Sequence, residues 1–319
     1  MLITGGTGSF GQAFVRRLFA EHRPARVIVY SRDELKQYEM AQRFTQDELR
    51  FFIGDVRDLG RLERALKGVD TVVHAAALKQ VPAAEYNPIE CIKTNVIGAE
   101  NVINACLNQG VKRVIALSTD KAVSPVNLYG ATKLCADKLL IAANHLAGKD
   151  GTRFAVVRYG NVIGSRGSVV PFFKKCSATG KLPITDPRMT RFWIRIEDGA
   201  AFVQCALDMM YGGEIFIPKI ASMRITDLAT AICDHCEQET IGIRPGEKLH
   251  ELLITRDDAR HTIEFGTFYV IQPAVHLWDY SEGRDYGGER GIPVSPEFEY
   301  ASNTNESWLD AQQLKALIE

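Results

Sequence analysis

The chain has 319 residues, 46% of them hydrophobic, and a formal net charge of -1 at pH 7. This length allows two domains or one elaborated domain, and the hydrophobic content is enough for a sizeable core. The near-neutral charge argues against nucleic acid or an anionic membrane as a partner. The sequence also lacks the long uncharged apolar run of a membrane helix and the pattern of a signal peptide. We therefore expect a soluble, cytoplasmic protein with no membrane span.

The cysteines favour a reducing compartment. There are seven of them, an odd number without regular spacing, which predicts reduced thiols. Cys233 and Cys236 form a C-x-x-C motif, but the sequence has no second pair to complete a zinc site. We therefore predict buried helix thiols at these positions and no metal.

The chain opens on a strand, a glycine-rich loop and a helix. Residues 1–4 are apolar, the next seven follow a G-x-x-G-x-x-G pattern, and an amphipathic segment runs to residue 20. Without β-carbons such a loop can turn tightly and bring backbone N–H groups against a pyrophosphate at the helix N-terminus. The opening strand is short, which favours a natural chain with residues before Met1. The predicted cofactor contacts here are Gly5, Thr7, Gly8, Ser9, Phe10 and Gly11.

The end of the second predicted strand, residues 27–30, indicates which dinucleotide fits. Ser31 and Arg32 follow it and offer a hydroxyl and a guanidinium suited to a 2'-phosphate. We therefore predict NADP rather than NAD. Asp33 and Glu34 keep NAD open as an alternative, and Arg32 as a solvated loop charge is a further one.

Four more apolar strands, at 51–56, 71–77, 112–117 and 154–159, alternate with helical segments. This alternation predicts an α/β fold with a Rossmann-type doubly wound parallel sheet. We interpret His74 as packed in the sheet, Asp55 as close to the adenine and Asn95 as a support for the backbone. The strand ends and the loops after them add the predicted cofactor contacts Asp55, Val56, Ala75, Ala76, Lys79, Asn95 and Tyr159.

Residues 117–133 concentrate the polar side chains. Those that follow the strand at 112–117 would lie at its carboxyl end, where open α/β sheets bind ligands. Apolar residues at helical spacing predict a helix over 129–147, in which Tyr129 and Lys133 are neighbours on one face. A lone Y-x-x-x-K is common. Its position after the glycine loop and the polar strand end favours a function.

The alternation of predicted strands and helices ends after residue 164. The segment is rich in loops and carries the cations Arg166, Lys181, Arg188, Arg191 and Arg195, and residues 244–248 add further charges. Their grouping suggests a second anionic ligand, which we predict to be a sugar-linked diphosphate. Residues 214–218 look like a strand that returns to the first sheet. We predict an NADP-binding domain at 1–164, with a return segment near 192–220, and a smaller, interleaved substrate domain at 165–319.

These motifs resemble the extended short-chain dehydrogenase/reductases, and within them the inverting UDP-N-acetylglucosamine 4,6-dehydratases. The similarity spans nearly the whole chain and is carried by the glycine loop and the segments STDKA (118–122), LYGATK (128–133), MTRF (189–192) and RPGEKLHE (244–251). Retaining dTDP-glucose dehydratases typically have Asp-Glu where this chain has Asp120-Lys121. Membrane-bound relatives share Asp-Lys but usually carry Met at the position of Tyr129.

The resemblance implies a mechanism in three steps. Tyr129 takes the proton of the sugar 4-hydroxyl while hydride leaves carbon 4 for NADP, with Lys133 lowering the pKa of the phenol. Lys121 then removes the carbon 5 proton and Asp120 protonates the departing 6-hydroxyl, after which the hydride returns to carbon 6. Thr119 would hydrogen-bond the 4-oxygen, with Ser118 as a substitute. The predicted catalytic residues are Thr119, Asp120, Lys121, Tyr129 and Lys133.

These roles require shifted pKa values, raised for Asp120 and lowered for Lys121, so we expect the two side chains to face different substrate atoms. The predicted contacts with UDP-N-acetylglucosamine are Lys79, Asn161, Arg191, Arg244 and Glu247. The resemblance also implies a homo-oligomer that pairs through helices at 95–107 and 129–147. It further implies a product used for pseudaminic acid biosynthesis and flagellin glycosylation.

Two alternatives stay open. A UDP-sugar 4-epimerase would use Tyr129 and Lys133 but has no need of an acid and a base at Asp120 and Lys121. A non-catalytic NADPH-binding regulator could lose Tyr129 or Lys133 without penalty, and this chain has both.

Overall fold

The computed structural model describes residues 1–164, 168–275 and 285–318. The predicted surface cation Arg166 lies outside the described residues. The strands are β1 (Leu2–Thr4), β2 (Val27–Ser31), β3 (Leu49–Ile53), β4 (Thr71–His74), β5 (Arg113–Thr119), β6 (Arg153–Tyr159), β7 (Asn161–Val162), β8 (Lys181–Ile184), β9 (Thr190–Ile194), β10 (Ile215–Pro218), β11 (Ala221–Arg224), β12 (Glu237–Thr240), β13 (Leu252–Ile254), β14 (Thr262–Glu264), β15 (Phe268–Ile271), β16 (Asp285–Tyr286), β17 (Glu289–Arg290), β18 (Ile292–Pro293) and β19 (Tyr300–Ala301).

The α-helices are α1 (Ser9–Glu21), α2 (Glu34–Ala41), α3 (Leu59–Ala65), α4 (Val81–Tyr86), α5 (Pro88–Ile92), α6 (Gly98–Gln109), α7 (Leu128–Ala147), α8 (Val169–Cys176), α9 (Ile196–Met209), α10 (Ile225–Ile232), α11 (Arg256–Ala259) and α12 (Ala311–Ile318). A π-helical turn at Lys93–Ile97 precedes α6, and short 3-10 turns lie at Asp120–Ala122 and Ser177–Thr179. Among the described residues, no helix combines the length and the apolar character needed to cross a membrane.

The main sheet has the order β18-β14-β15-β10-β6-β5-β4-β1-β2-β3. Seven neighbouring strands of this sheet are parallel: β10, β6, β5, β4, β1, β2 and β3. Beyond β10, the strands β15, β14 and β18 extend the sheet in antiparallel pairs. The chain runs outward from β1 to β3 and then returns to β4 on the other side of β1. That reversal opens a crevice at the carboxyl ends of β1 and β4, which is where doubly wound sheets bind ligands. The predicted fold class is confirmed.

Both faces of the parallel sheet are buried, which explains why its strands are continuously apolar rather than alternating. On one face the side chains of β1, β2 and β5 pack with those of α1 and α9, around Phe14, Val203 and Phe216. On the other face α3, α6 and α7 cover the sheet, with Leu62 and Leu140 fully buried. The two layers hold the strand ends, and therefore the crevice, in a fixed frame.

A smaller core lies beyond the sheet, formed by α8, β8, β9, β11, α10 and α12 around Phe173, Trp193 and Leu228. Segments that lie between the parts of this unit return to the main sheet, because β10 pairs with β6 in parallel and β15 pairs with β10. Helix α9 also packs against α1. The division into two domains at residue 164 stays a prediction, but the main sheet does contain strands from after that residue.

Three predicted features differ from the structure, the first being the strand predicted at 71–77, which ends at His74. The strand predicted at 51–56 ends at Ile53, because Gly54 turns away and leaves room for the Tyr30 ring; a β-carbon on Gly54 would overlap that ring. The predicted reduced helix thiols are also wrong, since Cys233 and Cys236 form a disulfide. Cys233 ends α10 in an extended conformation, so the pair lies in a turn after the helix rather than within it.

Candidate functional site

The glycine loop between β1 and α1 is built for close backbone approach. Gly5 has φ +65°, and a β-carbon on it would lie 2.8 Å from the Cα of Ala76, while one on Gly11 would overlap the backbone of Gly6. Helix α1 has no acidic residue in its first turn, and none of the described side chains caps it at Gly8. Its first N–H groups therefore remain available to an anion, and the loop fits a pyrophosphate.

The adenosine end of the loop is formed by the residues after β2. The hydroxyl of Ser31 accepts a hydrogen bond from Gln37, and Arg32 is half-exposed with its guanidinium 3.5 Å from Asp55. Asp33 caps α2 by accepting from the backbone N–H of Lys36 and also pairs with the Lys36 ammonium at 2.7 Å. Of the two acidic residues that kept NAD open, Asp33 lines the cleft but is engaged within its own helix, and Glu34 does not line the cleft.

A cleft of about 1130 Å³ runs from the glycine loop to the segment 244–251, so both predicted ligand sites open into one space. Asn95 and Asp120 are buried outside the cleft wall. All other predicted site residues line it: Gly5, Thr7, Gly8, Ser9, Phe10, Gly11, Ser31, Arg32, Asp55, Val56, Ala75, Ala76, Lys79, Thr119, Lys121, Tyr129, Lys133, Tyr159, Asn161, Arg191, Arg244 and Glu247.

Two of the residues behind the wall support it. Asn95 accepts a hydrogen bond from the backbone N–H of Leu78 at 2.8 Å and donates to the Leu78 carbonyl at 2.9 Å, so it fixes the loop that carries Lys79. Its predicted direct contact with the cofactor is therefore replaced by the backbone support that we also predicted. His74 is buried and hydrogen-bonds Thr4 at 2.8 Å, which joins β4 to β1 beneath the crevice.

Helix α7 presents Tyr129 and Lys133 to the cleft. It begins after Asn127, whose side-chain oxygen accepts from the backbone N–H of Gly130 at 2.8 Å. Burial raises the pKa of Tyr129 to about 12, and its lowering by Lys133 together with an oxidised nicotinamide stays a prediction. The lowering influences, weaker than burial, come from the charge of Lys121 and a hydrogen bond with Thr119. Burial also lowers the pKa of Lys133 itself, against the opposing charge of Asp137.

A buried ion pair lies beneath this face of α7. Asp137 is 3.6 Å from Arg158 and accepts a hydrogen bond from Ser118 at 2.7 Å. Arg158 donates to the backbone carbonyl of Leu253. Ser118 and Thr119 both line the cleft, and each hydroxyl donates to a buried carboxylate, that of Asp137 for Ser118 and that of Asp120 for Thr119.

Asp120 and Lys121 form an ion pair, with Lys121 Nζ 3.1 Å from Asp120 Oδ1. The tight turn at Asp120–Ala122 keeps the two side chains side by side, and that they face different substrate atoms stays a prediction. Burial acts to lower the pKa of Lys121, but the carboxylates of Asp120 and Glu251 outweigh it and raise the pKa, opposite to our prediction. Burial raises the pKa of Asp120, in the predicted direction.

Sequence reasoning missed Glu251 and Lys248, which also line the cleft. Glu251 is 2% exposed and lies 3.5 Å from Lys121 Nζ, while Lys248 is 3.5 Å from Glu251 and donates to the backbone carbonyl of Val123 at 2.5 Å. A signal was present, since an acid directly before an apolar strand, here β13, is well placed to be buried. The spacing could not show that its partner is Lys121, 130 positions earlier.

The predicted substrate residues differ in how much of each side chain is free. Arg191 is buried and donates to the carbonyls of Thr190, Leu249 and Lys248, so its guanidinium mainly holds the local backbone. Arg244 lies at the mouth of the cleft with an exposed side chain, 2.5 Å from Glu247. The pKa of Lys79 is lowered by burial and then by the charge of Lys121. Asn161 Oδ1 is buried and accepts no hydrogen bond from the described residues.

The segment 244–251 is tied to the start of α7. Asn127 donates to the carbonyl of Gly246 at 2.8 Å with the same amide group whose oxygen caps the helix. Gly246 has φ +79°, and a β-carbon on it would lie 3.1 Å from that of Asn127. One side chain therefore connects the predicted substrate segment to the helix that carries Tyr129 and Lys133.

The sequence matches a known protein family. A family described as polysaccharide biosynthesis protein matches residues 1–273. This chain belongs to that family. The resemblance to the extended short-chain dehydrogenase/reductases, and to their dehydratases in particular, is also confirmed by the relatives and structures that it matches.

Two curated relatives are similar over the whole chain. UDP-N-acetylglucosamine 4,6-dehydratase (inverting) of Campylobacter jejuni is 56% identical, with 100% of this chain and 96% of the relative covered. UDP-glucose 4-epimerase of Rickettsia akari is 38% identical, with 100% of this chain and 94% of the relative covered.

Two solved structures share the fold. Pen from Bacillus thuringiensis has a TM-score of 0.90 and 35% identity, covering 99% of this chain and 96% of that one. DesIV, the dTDP-glucose 4,6-dehydratase of Streptomyces venezuelae solved with NAD bound, has a TM-score of 0.71 and 26% identity, covering 78% and 86%.

Proposed function

We propose that the chain is an inverting UDP-N-acetylglucosamine 4,6-dehydratase. The observation that carries this proposal is the buried Asp120–Lys121 pair beside the same cleft as Tyr129 and Lys133. An oxidation and reduction at one carbon needs only a phenol and a nearby cation, whereas loss of water also needs an acid and a base. The full-length identity with dehydratases of this specificity supports the same function.

The first step falls to Tyr129, which removes the proton of the sugar 4-hydroxyl. Burial raises the pKa of Tyr129 to about 12 even against the opposing charge of Lys121, so this step needs further positive charge, for which Lys133 and a bound oxidised nicotinamide are the proposed sources. Thr119 lines the same cleft as Tyr129, and its hydroxyl, which donates to Asp120 Oδ1 at 2.9 Å, is proposed to hold the 4-oxygen. A bound nicotinamide dinucleotide, for which the glycine loop and Lys133 fit, supplies the hydride acceptor for carbon 4 and the donor for carbon 6.

The elimination falls to the Asp120–Lys121 pair. The ketone at carbon 4 acidifies the carbon 5 proton, which Lys121 removes, and Asp120 gives its proton to the departing 6-hydroxyl. The raised pKa of Asp120 suits an acid at neutral pH. Lys79, Asn161, Arg191, Arg244 and Glu247 would hold the nucleotide sugar at the far end of the cleft.

The deciding experiment is turnover of UDP-N-acetylglucosamine in deuterated water, read by NMR. We expect the 5-inverted 4-keto-6-deoxy sugar, with deuterium at carbon 5 and a hydrogen at carbon 6 that originates from carbon 4. Lys121→Ala should still allow oxidation of the sugar but stop before water is lost, and Lys138→Ala, which removes an exposed lysine of α7, serves as the control. Only uninverted product, or full dehydration by Lys121→Ala, would contradict the proposal.

A UDP-sugar 4-epimerase is the second candidate, because relatives with that name match the full chain at 38% identity. The same experiment separates the two. An epimerase returns a sugar that keeps its 6-hydroxyl and gains no deuterium at carbon 5.

We further propose NADP as the cofactor, because Arg32 and Lys36 both line the adenosine end of the cleft while Asp33 is engaged as a helix cap. The cytoplasmic location and the use of the product for pseudaminic acid and flagellin glycosylation stay predictions. So does the homo-oligomer. A monomer mass by light scattering at micromolar concentration would contradict it.

A further inference from the structure

Glu251 joins the segment 244–251 to the catalytic pair. Its carboxylate lies 3.5 Å from the ammonium of Lys121, 3.5 Å from that of Lys248 and 3.8 Å from Arg191 Nε. Its backbone is fixed by Ser302, which accepts from the Glu251 N–H at 2.9 Å and donates its own N–H to the Glu251 carbonyl at 2.9 Å. The backbone of Glu251 is therefore fixed independently of the charges around its carboxylate.

The charges around Lys121 are nearly balanced. Two carboxylates face it, from Asp120 and Glu251, and the cations Arg191, Lys248 and Lys79 surround this group. Tyr129 is a further titratable neighbour. Burial acts to raise the pKa of Glu251, but Lys121, Arg191 and Lys248 outweigh it and lower the pKa, so Glu251 stays ionised while Asp120 is the carboxylate that accepts a proton more readily.

Dehydration needs a neutral Lys121 and a protonated Asp120 at the same moment. In the ion pair, Lys121 is protonated and Asp120 is ionised. The two forms contain the same number of protons. Transfer of one proton from Lys121 to Asp120, across the 3.1 Å that separates them, converts one form into the other. When Lys121 then takes the carbon 5 proton and Asp120 gives its proton to the leaving 6-hydroxyl as water, the ion pair is restored.

We propose that Glu251 is a positioning residue that holds Lys121 against Asp120 and keeps a single proton on that pair at neutral pH. This inference rests on the proposed function. A negative charge at 3.5 Å increases the proton affinity of the pair in both of its titration steps, whichever group carries the proton. Without it, Arg191, Lys248 and Lys79 would favour loss of the one proton that the elimination uses.

The test compares the wild-type holoenzyme with Glu251→Gln and Glu251→Asp over a range of pH. For wild type we expect a bell-shaped dependence of kcat, since too many protons remove the base and too few remove the acid. Glu251→Gln should move both limbs to lower pH in parallel, by about 1–3 units, and lower the maximum. Glu251→Asp keeps the charge and should keep both limbs near their wild-type positions.

Ser302→Ala is the matched control, because it loosens the backbone of Glu251 without changing a charge. It should lower kcat evenly at all pH values. If Glu251→Gln behaves in the same way, with unmoved limbs, the residue is only structural and the inference is overturned.

A second measurement does not depend on turnover. The rate at which Lys121 is acylated, followed by mass spectrometry against pH, reports when its amine becomes neutral. We expect the midpoint to fall in Glu251→Gln by a similar amount, and an unchanged midpoint would overturn the inference. If wild type yields no dehydrated sugar, the proposed function fails, while this titration still decides whether Glu251 sets the proton affinity of Lys121.

Discussion

The glycine loop and the charged cluster around Lys121 line one cleft and are built in opposite ways. The loop uses consecutive residues, 5–11, and offers backbone N–H groups with little side chain. The cluster uses charged side chains from three separate segments, at 120–121, at 191 and at 248–251. The loop is therefore sensitive to added atoms, whereas the cluster is sensitive to a lost charge or proton.

The largest effect is expected on the catalytic side of this comparison, from Tyr129→Phe. The ring is buried in the cleft wall, so Phe fills the same space and binding of cofactor and sugar nucleotide should be unchanged. The kcat should fall by roughly 100- to 10,000-fold, because a positioned acid or base is lost. Steady-state kinetics and calorimetry check both statements, with the exposed Tyr86→Phe as control. Turnover at the wild-type rate would move the role of oxidation base elsewhere.

On the loop side, Gly11→Ala should act through a single added carbon. The new β-carbon would overlap the backbone of Gly6, so the loop must shift, at a cost of about 1–3 kcal/mol in stability or cofactor affinity. Thermal unfolding and dinucleotide titration measure this cost. Gly199→Ala in α9, where the nearest atom is 3.8 Å away, should be neutral or stabilising. If Gly11→Ala and Gly199→Ala had the same stability and cofactor affinity, the glycine loop would not be sensitive to an added β-carbon.

His74, which lies beneath the glycine loop, should make the free energy of unfolding depend on pH. Burial, together with the charge of Lys133, lowers the pKa of His74 to about 3 from its usual 6.5, so the folded protein keeps this histidine neutral while the unfolded chain binds a proton. The free energy of unfolding should therefore decrease as pH falls below 6.5, by up to about 1.4 kcal/mol per pH unit from this group. Urea unfolding at several pH values should show a flatter dependence in His74→Gln. Identical slopes would mean that His74 does not contribute.

The smallest effect is expected from Arg32→Ala, at the exposed edge of the loop region. Affinity for NADP should fall about tenfold, since one partly exposed charge-assisted contact is lost, while affinity for NAD should not change. Calorimetry with both dinucleotides measures this. Arg57→Ala is the matched control, because Arg57 also pairs with Asp55 but does not line the cleft. Unchanged NADP affinity in Arg32→Ala would remove the reason for preferring NADP.

The same contrast explains how much could be predicted from the sequence. The glycine loop, the apolar strands and the neighbours Tyr129 and Lys133 depend on short-range spacing, and the structure contains all of them. The end of β3 was missed because it depends on the Tyr30 ring, which packs on Gly54 from another strand. The ion pair of Lys121 with Glu251 was missed for a related reason. A sequence pattern shows that a charge is present, but burial and distant partners decide which pKa it takes.

The interleaved main sheet has a consequence for the order in which the protein can fold during synthesis. When residue 159 has emerged from the ribosome, β6 is complete, yet its outer edge lacks β10, and that side of the sheet is complete only when β18 ends at residue 293. At typical synthesis rates the interval is on the order of ten seconds, during which an apolar edge strand is open to other chains. A fragment that ends at residue 164 should share this exposed edge. We therefore expect the cofactor domain to aggregate when expressed alone and to need the rest of the chain to fold.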